Sequence, residues 1–432
     1  MKINYYSLGC KVNLYETEAV LNEFIDNGFK LVSFKEKADV TIINTCTVTN
    51  TADQKTRQMI NKALRNKPKV LAIMGCFSAL DYMEIIDDNV TQVIIGTSER
   101  SKLYDYVIKA LEDKKSFINI KKPLEIDVYE ELKLSRFVDK TRGFVKIQDG
   151  CNNFCSYCRI PYARGKSRSR AKDNVISEIQ DLTNNGVYEI VLTGINTGNY
   201  GKDLDNYSFS NLLEEIVLKV KGLGRLRISS IEVTEITDEL LTVISKYPKH
   251  FCNHLHIPLQ SGSDLVLKEM NRKYDTNYYY EKIMKIRKYF PLINITTDLM
   301  VGFYNEIDEE FEKVKEFIKK VEFGEIHVFP YSRRKGTIAY DAKKDLKGDL
   351  KKARVQDVLK INNELALKYQ EKYLNQVLEI VIEKNEKGIC FGHTSNYLKV
   401  EFKDKNGKVG SLVKVRLREL GYPIAKGEVI EV

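Results

Sequence analysis

Short β-rich runs alternate with helical runs from residue 2 to about 115, and this alternation constrains the fold more than any other feature. Residues 2–8, 40–44, 70–74 and 90–95 read as strands. A helical stretch over 13–27 sets Val20, Leu21, Phe24 and Ile25 on one face and stops at Gly28, and a second covers 52–65. Alternation of this kind predicts an open, parallel α/β sheet. Cys10, Cys46 and Cys76 each follow one of the strands. The C-terminal ends of parallel strands lie along one edge, where ligands bind, so thiols 36 and 30 residues apart would meet in space. Three convergent thiolates suit an iron–sulfur cluster with one iron left open, or a zinc site lacking its fourth ligand. Three buried core thiols are the plain alternative, since free Cys is among the most buried residue types.

The remaining length calls for more than this one unit. At 432 residues the chain has room for about three domains. With 43% hydrophobic and 30% charged residues it is globular rather than disordered. Apolar runs such as 70–74 fall far short of the ~20 residues of a membrane helix, and residues 1–9 lack the layout of a secretory signal. No membrane partner and a cytoplasmic location are therefore expected. A net charge of +9 permits a polyanionic partner without demanding one. Eight cysteines are too sparse for a disulfide framework, and six of them lie in the first 158 residues, which points to metal or redox chemistry.

Charged residues without a clear period make 116–137 a linker between a first domain, 1–115, and a second, 138–368. The second opens on GFVKIQDGCNNFCSYC at 143–158. Cys151, Cys155 and Cys158 form C-x-x-x-C-x-x-C directly after a strand-like stretch, 144–148. Three thiolates on one short loop can hold three irons of a cubane; structural zinc sites usually present paired C-x-x-C knuckles, which makes zinc the weaker reading. This spacing resembles the radical S-adenosylmethionine (SAM) enzymes, whose fourth iron chelates SAM.

Five more strand candidates follow, at 189–193, 225–231, 254–259, 293–301 and 325–331. Helical faces lie between them: Val175, Ile176, Ile179 and Leu182; Leu212, Leu213, Ile216, Val217 and Val220; Ile307, Phe311, Val314, Ile318 and Val321. Six βα units predict a (β/α)6 partial barrel with its chemistry at the C-terminal strand ends. Thr193, Gly194, Asn196, Ser229, Ser230, Glu232, Gln260 and Asp298 stand at those ends. As a set they suit the amino-acid, ribose and adenine parts of SAM; taken singly they are ordinary loop residues. His254 and His256 point to the same side of one strand, with no carboxylate at ligand spacing, so hydrogen bonding within the barrel is expected of them. Cys252 and Cys390 read as structural. The segment 159–170 carries five cations and no acid, and Arg164, Arg168 and Arg170 suit phosphate contacts.

A long helix at 351–376 leads into a third domain, 369–432. Five short strands, at 377–382, 388–391, 397–402, 413–417 and 428–432, suit a small barrel of the oligonucleotide-binding type. Seven Lys or Arg face three acids between Asn396 and Gly421. Tyr397 and Phe402 offer rings among these cations for stacking on bases, with Lys399 beside them; a purely structural barrel is the alternative.

Taken together, GCKVN at 9–13, NTCTVT at 44–49, GC at 75–76, DGCNNFCSYC at 149–158, IPYARGKSRSR at 160–170, LTGINTGNYG at 192–201, HLHIPLQSGSD at 254–264 and GHTSNYLKV at 392–400 resemble the methylthiotransferase family of radical SAM enzymes over nearly the whole chain. GCKVNLYETE at 9–18 is similar to the branch that modifies N6-threonylcarbamoyladenosine in tRNA, and the tail is similar to that family's RNA-binding TRAM domain. The resemblance implies two [4Fe–4S] clusters. Cys151, Cys155 and Cys158 would hold the one that cleaves SAM to a 5′-deoxyadenosyl radical, and Cys10, Cys46 and Cys76 the auxiliary one that delivers sulfur. Tyr157 joins the strand-end residues around SAM. The radical would take hydrogen from C2 of the adenine at position 37, beside the anticodon, and a second SAM would supply the methyl group. An aromatic C–H bond offers no acidic proton, so acid–base groups alone cannot break it. A reductant such as flavodoxin or ferredoxin, and a sulfur donor, are implied as partners. Two departures stand out: Phe303-Tyr304-Asn305-Glu306 replaces the family's F-P-G-E, and Arg159 follows the last cluster cysteine. Competing readings are the same chemistry on isopentenyladenosine or on a ribosomal-protein aspartate, and an RNA-binding protein with structural clusters.

Overall fold

The computed structural model describes residues 1–132, 134, 141–342 and 345–430. The first unit is a six-stranded parallel sheet in the order Lys30–Leu31, Lys2–Ser7, Val40–Thr45, Val70–Gly75, Gln92–Ile95, Phe117–Asn119. Val40–Thr45 and Val70–Gly75 are buried at every position, as strands covered on both faces must be. Val20, Leu21 and Phe24 of the helix Lys11–Asp26 pack on one face with Leu103 and Val107; Ile60, Ala63 and Phe77 cover the other. Two edge strands escape the sequence pattern, and one of them, Phe117–Asn119, stands in the expected linker. At two and three residues they carry no apolar run to detect. Strand order reverses between Lys2–Ser7 and Val40–Thr45, which opens a crevice at their C-terminal ends.

The second unit has six parallel strands in chain order: Arg142–Lys146, Glu189–Thr193, Arg225–Ile228, His254–His256, Asn294–Val301 and Glu325–Pro330. The first three form one ladder and the last three another. Bonds from Leu226 N–H to His250 O (2.6 Å), Cys252 N–H to Leu226 O (2.9 Å) and Ile231 N–H to His256 O (3.0 Å) join them. Among the described residues the first and last strands do not pair, so this is a partial barrel. The expected helical faces enter its core, except Ile307, which is the N-cap of Asp308–Val321 and exposed. Two strands stop short of expectation, at Ile228 and His256, because the following residues turn into loops at the barrel mouth.

Helix Gly348–Glu371 leads into a closed five-stranded barrel ordered Val377–Glu386, Ile389–Thr394, Lys399–Lys403, Ala425–Val429, Leu412–Glu419. This strand order is that of an oligonucleotide-binding barrel. Its last strand begins at Ala425 rather than 428, and residues 431 and 432 of the expected strand lie outside the described residues. Phe402 is a core residue of this barrel, so its ring is not offered to bases. No described helix is long and apolar enough to cross a membrane.

Helix Lys11–Asp26 is buried on two sides, against its own sheet and against the second unit. On that second side the Glu16 carboxylate accepts from Lys146 Nζ (2.7 Å) and from Arg164 Nη1 and Nη2 (2.8 and 3.0 Å), and pairs with Arg100. Asp149 accepts from Lys146 (2.6 Å) and Arg164 (3.0 Å). Burial alone would raise the Glu16 pKa, but Arg100, Arg164 and Lys146 hold it well below the usual range. Tyr15 O–H donates to Glu178 (2.9 Å), and Arg334 reaches Thr47 O (3.0 Å) and Asp53 (2.7 Å). Removing one member of a buried ion group leaves the others uncompensated. Glu16→Ala is therefore expected to lower the unfolding free energy in urea at pH 7 by about 3–5 kcal/mol. The Glu16 contribution is complete above the unfolded carboxyl value of about 4.3 and fades as pH falls toward its lower folded value. The acid limb of the stability profile should accordingly flatten in Glu16→Gln.

Candidate functional site

Register places the first trio of thiols. Ser7 pairs with Asn44 and Thr45 with Gly75, so Gly9–Cys10, Cys46 and Cys76 leave three adjacent strands side by side at the crevice. A Cβ on Gly9 would lie 3.2 Å from Cys46 Sγ. Cys10 caps Lys11–Asp26 and is exposed, whereas Cys46 and Cys76 are buried. Gly75 sits at φ +111, where a Cβ would meet Asn44 Oδ1 at 2.4 Å and Thr45 O at 2.5 Å. Only glycine turns the chain here into the helix that starts at Cys76. Burial, reinforced by Cys76 and Cys10, pushes the Cys46 thiol up to about 12. Burial also raises Cys76, against the pull of Arg164, whose Nε–H donates to Cys76 Sγ at 3.2 Å.

The second trio lies on the loop after the first barrel strand. Gly150, at φ +73, is pressed against the carbonyl of Lys166. Cys158 N–H donates to Cys155 O (2.9 Å), and Ile160 N–H donates to Cys158 Sγ (3.4 Å). Arg272 Nη1 donates to Cys155 Sγ (3.3 Å) while its Nη2 pairs with Glu232. Burial pushes Cys151 up to about 11 and Cys158 up to about 12. No three His, Cys, Asp or Glu side chains among the described residues are placed to hold a single metal ion. A cubane instead takes one thiolate at each of three separate irons, and each trio has the donors for that.

One short helix ties the trios together. Ile160–Arg164 begins two residues after Cys158, with Arg159 between them as its N-cap. At its start Arg159 clamps Asp81 with two bonds (2.7 and 3.0 Å) and donates to Thr47 (3.1 Å). At its end Arg164 bonds Cys76, Glu16, Asp149 and Asn13. The Arg159 departure is thus a contact between the two cysteine-bearing units. The other departure is pinned as well: Glu306 accepts from Gly302 N–H (2.7 Å) and Arg354 (2.8 Å).

Between the units opens a cleft of about 390 Å³. Cys10 and Lys11 line one side; Thr193, Gly194, Ser230, His254, His256, Asp298 and Tyr397 line the other. His254 and His256 share Thr296 Oγ1 (2.9 Å each), and His256 faces Asp298 (3.4 Å). Burial, with Arg142 and Arg227 nearby, lowers Lys11 to about 8. Asn196 lies near this mouth with its N–H on Gln148 (2.8 Å), and both its side-chain polar atoms are buried without partners. Gln260, at φ +67, has an unpartnered buried Oε1. Such groups are costly unless a ligand meets them, which fits SAM at the strand ends. Glu232 stands apart from the cleft lining, beside Cys155 through Arg272, and Tyr157 packs on Phe303 among the second trio. Gly194 leaves room for Gln148, whose Cβ a Cβ there would meet at 3.1 Å, as well as lining the cleft.

The structure corrects the expected RNA contacts. Arg164, Arg168 and Arg170 are only 0%, 4% and 4% exposed in the side chain. Arg168 donates to the carbonyls of Lys166 and Arg164 (2.8 and 3.0 Å), and Arg170 pairs with Glu131 and Glu178 (2.8 Å each). Their charges are used inside the protein and are closed to phosphate. Tyr397 is no free stacking platform: His254 and His393 lie nearly parallel to its ring at 4.7 Å each, and Arg227 lies over it at 4.8 Å. Lys399 is exposed. Cys252 and Cys390 are buried. Sequence reasoning missed Arg272, a cation beside Lys273 with no motif around it, and Lys11, whose only signal is its place after Cys10.

Two thiol trios, one of them C-x-x-x-C-x-x-C at the mouth of a six-stranded parallel partial barrel, define an iron–sulfur enzyme of the radical SAM class. A family model described as the radical SAM superfamily matches residues 145–318, and one described as uncharacterized protein family UPF0004 matches 2–96. The threonylcarbamoyladenosine tRNA methylthiotransferase MtaB of Bacillus subtilis (strain 168) is 42% identical over 436 residues, covering 100% of this chain and 96% of the relative. The tRNA-2-methylthio-N(6)-dimethylallyladenosine synthase of Clostridium tetani (strain Massachusetts / E88) is 33% identical over 433 residues, covering 98% and 95%. The radical SAM methyltransferase TsrM from Kitasatospora setae shares the fold, with a TM-score of 0.57 at 15% identity over 78% of this chain and 76% of that one. The chain belongs to the methylthiotransferase family of radical SAM enzymes; its cofactors are SAM and two [4Fe–4S] clusters.

Thiolate character governs thiol reactivity. In cluster-free protein at pH 8, brief iodoacetamide treatment followed by peptide mass spectrometry is expected to find Cys10 alkylated well ahead of Cys46, Cys76 and Cys158. Equal labelling would show that the buried thiols are not held protonated.

Proposed function

We propose that the chain methylthiolates C2 of N6-threonylcarbamoyladenosine at position 37 of tRNA, working in the cytoplasm with a reductant of the flavodoxin or ferredoxin kind and a sulfur donor. The observation that carries the chemistry is the helix Ile160–Arg164, which begins two residues after Cys158 and ends on Arg164, a donor to Cys76 Sγ, and so ties the two thiol-bearing segments together beside the cleft that Cys10 lines. The target base is supported by the 42% full-length identity to the Bacillus subtilis protein of that name, against 33% to the dimethylallyladenosine synthase.

In this reading Cys151, Cys155 and Cys158 hold the SAM-cleaving cluster and Cys10, Cys46 and Cys76 the auxiliary one. When bound, these groups supply the radical and the sulfur that an unactivated C–H bond requires. The chain itself positions and shields. Arg272 and the Ile160 N–H donate to Cys155 and Cys158, and Arg164 donates to Cys76. Thr193, Gly194, Asn196, Ser230, Gln260 and Asp298 receive SAM, with Glu232 and Tyr157 beside its cluster. Close packing of the two units keeps bulk water from the reacting atoms. Residues 369–432 take the tRNA backbone through exposed cations, Lys399 among them.

Digested tRNA from a strain lacking the gene is expected to lose the methylthio form of threonylcarbamoyladenosine while retaining the parent nucleoside, read by mass spectrometry. An unchanged methylthio signal would overturn the assignment. Anaerobically reconstituted protein should carry about eight irons per chain. The triple variant Cys10→Ala, Cys46→Ala, Cys76→Ala should keep about four and still release 5′-deoxyadenosine from SAM, with thiolation abolished. Loss of SAM cleavage in that variant would contradict the division of roles.

A further inference from the structure

Lys11 lines the cleft one residue after Cys10. His254, His256, His327 and Asp298 line the same cleft. The neighbouring charges are already partnered. Glu189 pairs with Arg227 (2.7 Å), Arg225 (2.6 Å) and Arg142 (3.7 Å), and Arg142 also reaches Glu383 (3.3 Å). Arg227 lies over the Tyr397 ring at 4.8 Å. Asp298 faces His256, whose ring lies 5.5 Å from that of His327. Lys11 alone among these cations makes no hydrogen bond or ion pair with any described residue.

A half-buried ammonium on a cleft wall that makes no hydrogen bond or ion pair can donate a charge-assisted hydrogen bond to an anionic ligand. The N6 substituent of threonylcarbamoyladenosine ends in a free carboxylate, whereas a dimethylallyl group is neutral hydrocarbon. Resting on the substrate reading above, we propose that Lys11 binds this carboxylate and thereby selects the acidic N6 substituent over an apolar one. A neutral substituent would offer the ammonium no partner, so the acidic substituent gains an ion pair that the apolar one lacks.

The test compares reconstituted wild type, Lys11→Arg and Lys11→Gln, using anticodon stem-loop RNAs that carry threonylcarbamoyladenosine or its methyl ester. Affinity is read by fluorescence anisotropy, and SAM affinity by equilibrium dialysis. Hydrogen bonds to charged groups imply that wild type prefers the free acid by about ten- to a hundredfold. Lys11→Gln is expected to lose that preference and Lys11→Arg to keep it, with SAM affinity unchanged in both. The proposal falls if wild type binds acid and ester equally, or if Lys11→Gln still discriminates. It also falls if Lys11→Gln weakens SAM and RNA alike, which would assign Lys11 to the SAM carboxylate. Wild type that thiolates dimethylallyladenosine and not threonylcarbamoyladenosine would instead remove the substrate reading itself, a result distinct from a silent Lys11 substitution.

Discussion

The buried ion group around Glu16 is the constraint on which the site depends. Its carboxylate comes from the first helix of the sheet unit; Lys146, Asp149 and Arg164 come from the barrel unit. In water such pairs are worth little, but removed from water they tolerate no missing partner. The group therefore acts as a register pin between two independently cored bodies. Because Asp149 stands two residues before Cys151 and Arg164 six after Cys158, the same pin locates the thiols of both units.

Charge around the sulfurs is arranged consistently. Arginine N–H groups donate to Cys76 and to Cys155, and a backbone N–H donates to Cys158. Hydrogen bonds to cluster sulfurs are among the levers that set reduction potential. Each of these donors is itself tied to a carboxylate or to the turn of a helix, so the sulfur environment is stiff. The two arginines differ in origin. Arg164 crosses from the barrel unit to the sheet unit, whereas Arg272 stays within the barrel, so only the first cluster's surroundings depend on how the units dock.

Much of the architecture was readable before folding. The strand Val70–Gly75 announces itself because a strand buried on both faces tends to an unbroken apolar run, and Val40–Thr45 and Glu189–Thr193 carry shorter apolar runs between polar residues. The cysteine trios were readable too, one from short spacing and one from recurrence at the same topological place. The arginine-rich segment was misread for a physical reason. A run of cations looks solvated or phosphate-binding unless its carboxylate partners are known, and Glu16, Glu131 and Glu178 lie outside the segment. Tyr397 was misread in the same way, since His254, which covers one face of its ring, belongs to another unit.

Sequence by itself determined the chemistry available: six cysteines at strand ends and on one loop, glycines before Cys10, Cys76 and Cys151, and a barrel-forming alternation of strand and helix. Local propensity and the period of apolar residues are properties of short windows, so short windows suffice to read them. Tertiary structure alone decided which charges are spent inside the protein and which face the cleft. It paired Arg164 with Glu16 and stacked His254 and His393 on the Tyr397 ring, and it set Lys11 on the cleft wall beside Cys10. The electrostatic state of a side chain depends on partners brought near only by the packing of whole units, and no window of sequence contains them.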